Sequence, residues 1–404
     1  MSIDEHWTDG VRRYLAGCYD PGTGGWTSTP AGAVTLYGTC YALMSRRWLG
    51  ERSPLTPLTR DFILGGQDAA TGYFIGPELR SWSPPAGSTH DREHLMLHLT
   101  CSAVLPVLNE HGLEPGAPLH CARAFLGPDF LLAWLERRDL RAAWLEGNNI
   151  LFAGQLILYM RDHGEPERGA QALRIWFEWL DRSIDPATGL WGSDRGCSTF
   201  EAMCGGYHQL LLYYYEKYPI RYPQALVDTT LALQHSDGGF ALELGGGACE
   251  EVDAVDILVN LYKLHDYRRP DIRRSLRRCL RLLLSLQNPD GGFPYSATRA
   301  ASHMNLPGTH SPPGGSATFP TFFRLHTLAL IAQILTDEPA FQGRELGFNI
   351  APSMGWHRSW DLAFHALTAA DRNAERISAL RAAPRRLARR SRSLAGRIYR
   401  GIQP

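Results

Sequence analysis

Two stretches, Gln234-His235-Ser236-Asp237-Gly238-Gly239-Phe240 and Gln287-Asn288-Pro289-Asp290-Gly291-Gly292-Phe293, carry one loop signature 53 residues apart. Each stands between two segments of helical character. Looser copies occur at Asp20-Pro21-Gly22-Thr23-Gly24-Gly25-Trp26, at Gln67-Asp68-Ala69-Ala70-Thr71-Gly72-Tyr73-Phe74 and at Asp185-Pro186-Ala187-Thr188-Gly189-Leu190-Trp191, with a degenerate sixth junction at 139–144. Recurrence of a loop at intervals of this size marks a repeat architecture. In such a loop glycine supplies backbone with positive φ, and the terminal aromatic fills the space between neighbouring helices.

Working outward from the loops, second helices are expected at 31–48, 89–110, 146–163, 198–218, 249–266 and 316–336. First helices are expected at 4–18, 57–65, 121–137, 168–182, 223–234 and 271–287. The second helices are apolar nearly all round, as buried inner helices should be. The first helices have Arg-rich faces, such as Arg273, Arg274, Arg277, Arg278 and Arg281, that suit an outer layer facing water. A helical pair cannot bury its apolar face alone, so six pairs stack or close on themselves. The expected fold is all-α, an (α/α)6 toroid of six helical hairpins with Asp-Gly-Gly-aromatic loops over 1–336. An extension packing on the ring is expected at 337–380, followed by a basic C-terminal tail at 381–404.

The chain has 404 residues, 44% of them apolar, and no formal net charge. That charge is segregated, because residues 381–404 hold eight arginines and no acid, leaving 33 basic against 41 acidic residues elsewhere. The tail, disordered or an amphipathic helix, would suit an anionic membrane surface. An acidic body argues against nucleic acid. Eight cysteines without a Cys-x-x-Cys pair, a polar start at Met1-Ser2-Ile3-Asp4-Glu5-His6 and no apolar run of membrane-spanning length read as a cytoplasmic protein with reduced thiols, peripheral to the inner membrane face through its tail.

The Gln-x-x-Asp-Gly-Gly-Phe loops leading into inner helices resemble the repeats of the terpenoid cyclase and protein prenyltransferase superfamily, whose members are α/α toroids. Glu251-Val252-Asp253-Ala254 looks similar to the Asp-x-Asp-Asp motif at an inner-helix start of acid-initiated (class II) cyclases. The resemblance implies that Asp253 is the general acid, with Glu251 in place of the first Asp and Ala254 in place of the last. Four acids, Glu250, Glu251, Asp253 and Asp256, crowd into seven residues, and burial with like charges nearby raises a carboxyl pKa. Asp256 shares a helical face with Asp253. The plain alternative is an acidic helix start that favours the macrodipole.

Catalytic assistance is assigned to Glu251, Asp256, His94 and His326. A prenyltransferase resemblance competes with this one, because Cys249, Glu251 and His326 fall where that family binds zinc, and these residue types suit a three-ligand site with an open position. The reading leans towards no cofactor, with zinc as the alternative. Other inner-helix starts are polar. His90, Asp91, His94 and His98 stand on the second, Asn148 and Asn149 on the third, and Glu201 and His208 on the fourth. His90, Asp91, Asn148, Asn149, Glu201, His208, Phe322, Phe323 and Arg324 are the expected substrate-binding residues, and Trp144, Phe152 and Phe319 are further cavity aromatics. The leading function is acid-initiated cyclisation of a prenyl- or polyprenyl-bearing substrate. The alternatives are a toroid enzyme acting on carbohydrate or another polar substrate, a zinc-dependent prenyltransferase-like enzyme, and a non-catalytic binding module. No P-loop lysine, Gly-x-Ser-x-Gly elbow or Asp-Asp-x-x-Asp diphosphate motif is present.

Overall fold

The computed structural model describes residues 6–348 except 81, 86, 87 and 89, together with 354–357. The basic tail and most of the segment beyond 348 lie outside these residues. Six helical pairs follow one another. The first joins α1 (Trp7–Gly17) to α2 (Leu36–Trp48) through a three-stranded antiparallel sheet, β1 (Tyr19–Asp20), β2 (Gly25–Thr27) and β3 (Val34–Thr35). In the second, α3 (Pro57–Leu64) and the short α4 (Pro77–Arg80) precede a long inner rod. That rod is α5 (Arg92–His98), a π-helical turn at Leu99–Val104, and α6 (Leu105–Glu110). The π turn runs directly into Pro106, which lacks the backbone N–H that a regular helix needs there.

The third pair is α7 (Pro128–Glu136), entered through a 3-10 turn at His120–Leu126, and α8 (Ala143–Asp162). The fourth is α9 (Pro166–Ser183) and α10 (Thr199–Glu216), bridged by β4 (Ile184–Asp185) and β5 (Leu190–Trp191). The fifth is α11 (Pro223–Ala232) and α12 (Cys249–Leu264). The sixth is α13 (Arg269–Ser285) and α14 (Thr318–Ile334), with β6 (Ala301–Ser302) and β7 (His310–Ser311) in the long connection between them. Proline starts α3, α7, α9 and α11, where its fixed φ suits a first turn and its missing N–H costs nothing.

The second members form the inner layer. Helix α2 packs on the π turn of the second rod, that rod on α8, α8 on α10, α10 on α12, α12 on α14, and α14 back on α2. The described chain is therefore an all-α toroid. Because an outer helix returns the chain between successive inner helices, all six inner helices start at the same end of the ring. Arginines on α13 face outward, where Arg274 pairs with Asp271 at 2.7 Å, while Ile272, Leu276, Cys279 and Leu283 are buried. No helix among the described residues is long and apolar enough to cross a membrane.

The loop signature explains the joints. Gly24, Gly72, Gly189, Gly238 and Gly291 all have positive φ, and the aromatics that follow, Trp26, Phe74, Trp191, Phe240 and Phe293, are buried. The glutamine of the motif is a clasp. Gln234 Nε2 donates to Gly238 O in its own loop (2.9 Å) and to Ser275 O in the next outer helix (3.0 Å). Gln67 likewise joins Gly72 O of its own loop to Ala117 O, just before the third outer element. Gln287 joins Gly291 O to Trp7 O (2.9 and 2.8 Å), so the sixth hairpin grips the first with the device used between neighbours in sequence. The seam is completed by Phe322, stacked between Tyr41 and Trp48.

Beyond α14, Trp7 Nε1 donates to Ala340 O and Gln333 to Phe348 O. At 354–357, Tyr215 donates to Met354 O, Trp356 is buried against Tyr159, and Gly355 (φ +89°) rests directly on the Gln155 amide. These partners lie towards the C-terminal ends of the inner helices.

Candidate active site

A cavity of about 610 Å3 opens among the inner-helix starts, with Met354 at its far end. Its walls are His90, His94 and His98 from the second rod, Trp144 and Asn148 from α8, Glu201 and His208 from α10, Cys249 and Asp253 from α12, and Phe319 and Phe323 from α14. The connection between α13 and α14 supplies the rest: Tyr295, residues 299–304, Thr309 and Ser311.

The four acids of α12 separate into four environments. Glu250 accepts from Ala248 N, from the Cys249 thiol and from Tyr295 Oη (3.1 Å), which fixes the helix start to the connection before α14. Glu251 is fully buried and points away from the cavity towards Gly239, at the back of the Asp-Gly-Gly loop. Burial pushes its carboxyl up even though the Arg324 guanidinium opposes the shift. Asp256 accepts from Asn260 Nδ2 at 3.0 Å further down the helix. Asp253 alone faces the cavity. It is 1% exposed, lies against the Cys204 thiol, and its Oδ2 has no hydrogen-bond partner among the described residues. Burial, followed by the nearby Glu250, raises its pKa well above the ordinary carboxylate value, which favours the neutral carboxyl.

Opposite stands a group of imidazoles. His94 Nδ1 meets Asn149 Oδ1 (2.8 Å), His98 Nδ1 meets Tyr37 Oη (2.9 Å) and Ser102 Oγ (3.0 Å), and His208 Nδ1 donates to Cys204 O (2.7 Å). His303, carried by the α13–α14 connection, is inserted between Tyr37 and Phe319 at ring distances of 4.7 and 4.2 Å. Burial lowers the pKa of every one of them, to about 4 for His94 and His208 and about 3 for His303. All are neutral at physiological pH.

Of the residues singled out in the sequence, His90, His94, His98, Trp144, Asn148, Glu201, His208, Cys249, Asp253, Phe319 and Phe323 line this cavity. The structure puts the others elsewhere. Asp91 caps α5 by accepting from His94 N, and Asn149 stands behind His94. Arg324 is fully buried and clamps Pro294 O, Tyr295 O and Gly247 O. Phe322 and His326 belong to the α2–α14 seam, with His326 4.7 Å from the Trp48 ring. Glu251, Asp256, Phe322, Arg324 and His326 are therefore wall-forming residues and not cavity residues.

The proposed zinc donors do not fit a metal. Cys249 faces the cavity, Glu251 the outer loop and His326 the seam, and no three His, Cys, Asp or Glu side chains among the described residues are grouped to hold an ion.

Sequence reasoning missed His303, Tyr295 and Arg299. The available signal was a length. Twenty-four residues (294–317) separate Phe293 from α14, whereas eight (241–248) separate Phe240 from α12. An insertion at an inner-helix start has only the mouth of the ring to occupy.

No protein-family model matches the chain, and no curated protein matches its sequence. Solved structures do resemble it. An ent-copalyl diphosphate synthase from Streptomyces platensis matches over 75% of this chain and 50% of its own, at 15% identity and a TM-score of 0.38. The chain thus spans half the length of that enzyme. The α-1,6-mannanase of Salegentibacter sp. HEL1_6 matches over 81% of this chain and 99% of its own, at 11% identity and a TM-score of 0.45. A polysaccharide lyase matches over 83% and 99%, at 12% identity and a TM-score of 0.45. These likenesses are of fold alone.

Proposed function

We propose that the toroid is an enzyme that begins its reaction by donating a proton from Asp253, and that the reaction is the acid-initiated cyclisation of a prenyl-bearing substrate. The observation that carries this reading is the place of Asp253, a buried carboxyl on the cavity wall with one oxygen free of partners among the described residues. A neutral carboxyl is the form needed to protonate an alkene or epoxide. Phe319 and Phe323, edge to face at 4.9 Å, and Tyr295, stacked on Phe319 at 6.0 Å, supply π faces for the cation that forms. Each such contact is worth roughly 0.5–2 kcal/mol. The proton leaves Asp253 as the C–H bond forms, and the cation loses a proton to a neutral imidazole, so the product is an isomer of the substrate and no redox partner is consumed.

A second reading, a toroid acting on a polar, glycan-like substrate, is supported by the histidine wall, which is wetter than a hydrocarbon needs. One experiment addresses both. Incubation in D2O with a panel of prenylated phenols, polyprenyl alcohols and neutral oligosaccharides should give a product of unchanged composition carrying one solvent deuteron at carbon. Asp253→Asn should abolish it while leaving the circular dichroism spectrum and melting temperature close to wild type. Undiminished turnover in that variant would overturn the role of Asp253, and conversion of oligosaccharides alone would favour the second reading.

A further inference from the structure

The histidine wall has a defined polarity, because hydrogen-bond bookkeeping fixes where each ring carries its proton. His208 Nδ1 lies 2.7 Å from Cys204 O, and a carbonyl only accepts, so Nδ1 bears the hydrogen and Nε2 the lone pair. The ring of His94 is oriented through Asn149. Asn149 Nδ2 donates to Glu146 Oε2 (3.1 Å), which turns Asn149 Oδ1 towards His94 at 2.8 Å. An amide oxygen only accepts, so His94 also carries its hydrogen on Nδ1.

For His98 the two hydroxyls near Nδ1 already have acceptors, Tyr37 Oη donating to Leu95 O (3.3 Å) and Ser102 Oγ to His98 O (2.5 Å). Protonating Nδ1 gives three hydrogen bonds around this ring, and the other tautomer gives two. All three rings line the cavity, and none of their Nε2 atoms is a buried orphan or has a partner among the described residues. Three neutral rings, two on the second rod and one on α10 with α8 between them, thus turn only lone pairs towards the cavity.

We infer that the wall formed by His94, His98 and His208 is a hydrogen-bond-acceptor surface, and that the part of the ligand lying against it carries O–H or N–H donors. A bare hydrocarbon leaves three lone pairs unpaired there, and a phosphate or carboxylate meets three of its own kind. The inference deepens the proposed reading, on which it rests for the identity of the site. A prenyl chain beside Asp253, Phe319 and Phe323 would end in a hydroxylated or aminated head group at the imidazoles. A polyol such as a sugar presents the same donors.

The test needs no turnover, so it fails separately from the Asp253 reading. Long-range 1H–15N spectra of the full-length, 15N-labelled protein at pH 7, assigned with His94→Gln, His98→Gln and His208→Gln, should show three neutral rings protonated at Nδ1. Any two found protonated at Nε2 overturn the proposal. Titration then uses a prenylated hydroquinone, a neutral trisaccharide and inorganic pyrophosphate. Movement of the three Nε2 resonances with the hydroquinone alone identifies a prenylated donor, and movement with the trisaccharide alone a glycan. Either response supports the acceptor wall. Movement with pyrophosphate, or with none of the three, overturns it. His208→Phe should weaken the responding probe about tenfold, as loss of one hydrogen bond to a buried site does, and unchanged affinity in that variant would also count against it.

Discussion

Gly291 shows how tightly single residues are specified. Its φ is +94°, and a Cβ placed there would overlap Gly10 O across the joint between the last loop and the first helix. Gly291→Ala should therefore cost about 2–4 kcal/mol, from left-handed backbone and steric overlap together, and lower the thermal midpoint by several degrees. Gly112, equally left-handed but with open space around it, should cost only the backbone share. Comparing the two melting curves checks the assignment.

The buried imidazoles give a prediction with a sign. Their pKa values are lowered from 6.5 to about 4 in His94 and His208, so between those values the unfolded chain binds more protons than the folded one. Stability from these rings is complete above pH 6.5 and lost as pH falls towards 4, on the order of 3 kcal/mol per ring. Removing a ring as Gln should flatten the acid limb of stability against pH measured by denaturant unfolding. A limb as steep as wild type would place the shift elsewhere. Asp253 drew notice in the sequence through its likeness to a family motif, and the structure puts it on the cavity wall. Asp256, three residues on, shares that face as its spacing predicts, but only the packing shows that it lies a turn further along the helix, bonded to Asn260, and that Glu251, about 200° round, meets the outer loop.

At the scale of elements, helix boundaries followed the sequence to within a few residues, since long apolar periodicity, proline starts and glycine-bearing loops all point the same way. Two features escaped. The third outer element is split at Gly127 into a 3-10 turn and α7, which a continuous apolar pattern does not disclose. The connection from Phe293 to α14, which no sequence pattern singles out, folds as the β6–β7 hairpin and carries His303 into the ring on a turn where Met304 and Asn305 both have positive φ. Cutting this connection to the eight residues found before α12 should leave the helices assembled, because the connection packs on the mouth and not in the core. It should remove one wall of the cavity and enlarge its opening. Circular dichroism would report the first outcome, and faster acylation of His94, His98 and His208 by diethyl pyrocarbonate the second. Loss of helical signal would mean that the hairpin is part of the core.

For the whole molecule, Glu110 lies at the C-terminal end of the second inner rod, with its side chain 3% exposed and Arg47 Nε 2.8 Å from Oε1. Neither carboxyl oxygen has a well-aligned hydrogen bond. Burial outweighs the single ion contact and pushes the pKa up to about 8. The folded state holds this proton between pH 4.5 and 8, where the unfolded state releases it. The carboxyl's stabilising contribution is therefore complete below pH 4.5 and is lost as pH rises towards 8. Glu110→Gln should make global unfolding less sensitive to pH over that range, and an unchanged slope would show the ion pair to be intact.

Ring closure was legible only as a number, six pairs. That the last loop should hold the first helix through Gln287 could not be read, since nothing in the sequence says that residues 280 positions apart meet. Gln287→Ala, which removes both of its hydrogen bonds, should cost about 1–3 kcal/mol. An open stack of helical hairpins frays from its two ends, where a terminal unit is held on one side only. Here the Gln287–Trp7 clasp gives every unit two neighbours, which is the one-dimensional chain with periodic boundary conditions. No hairpin can peel away by breaking one interface alone, so partial opening anywhere on the hoop must break two.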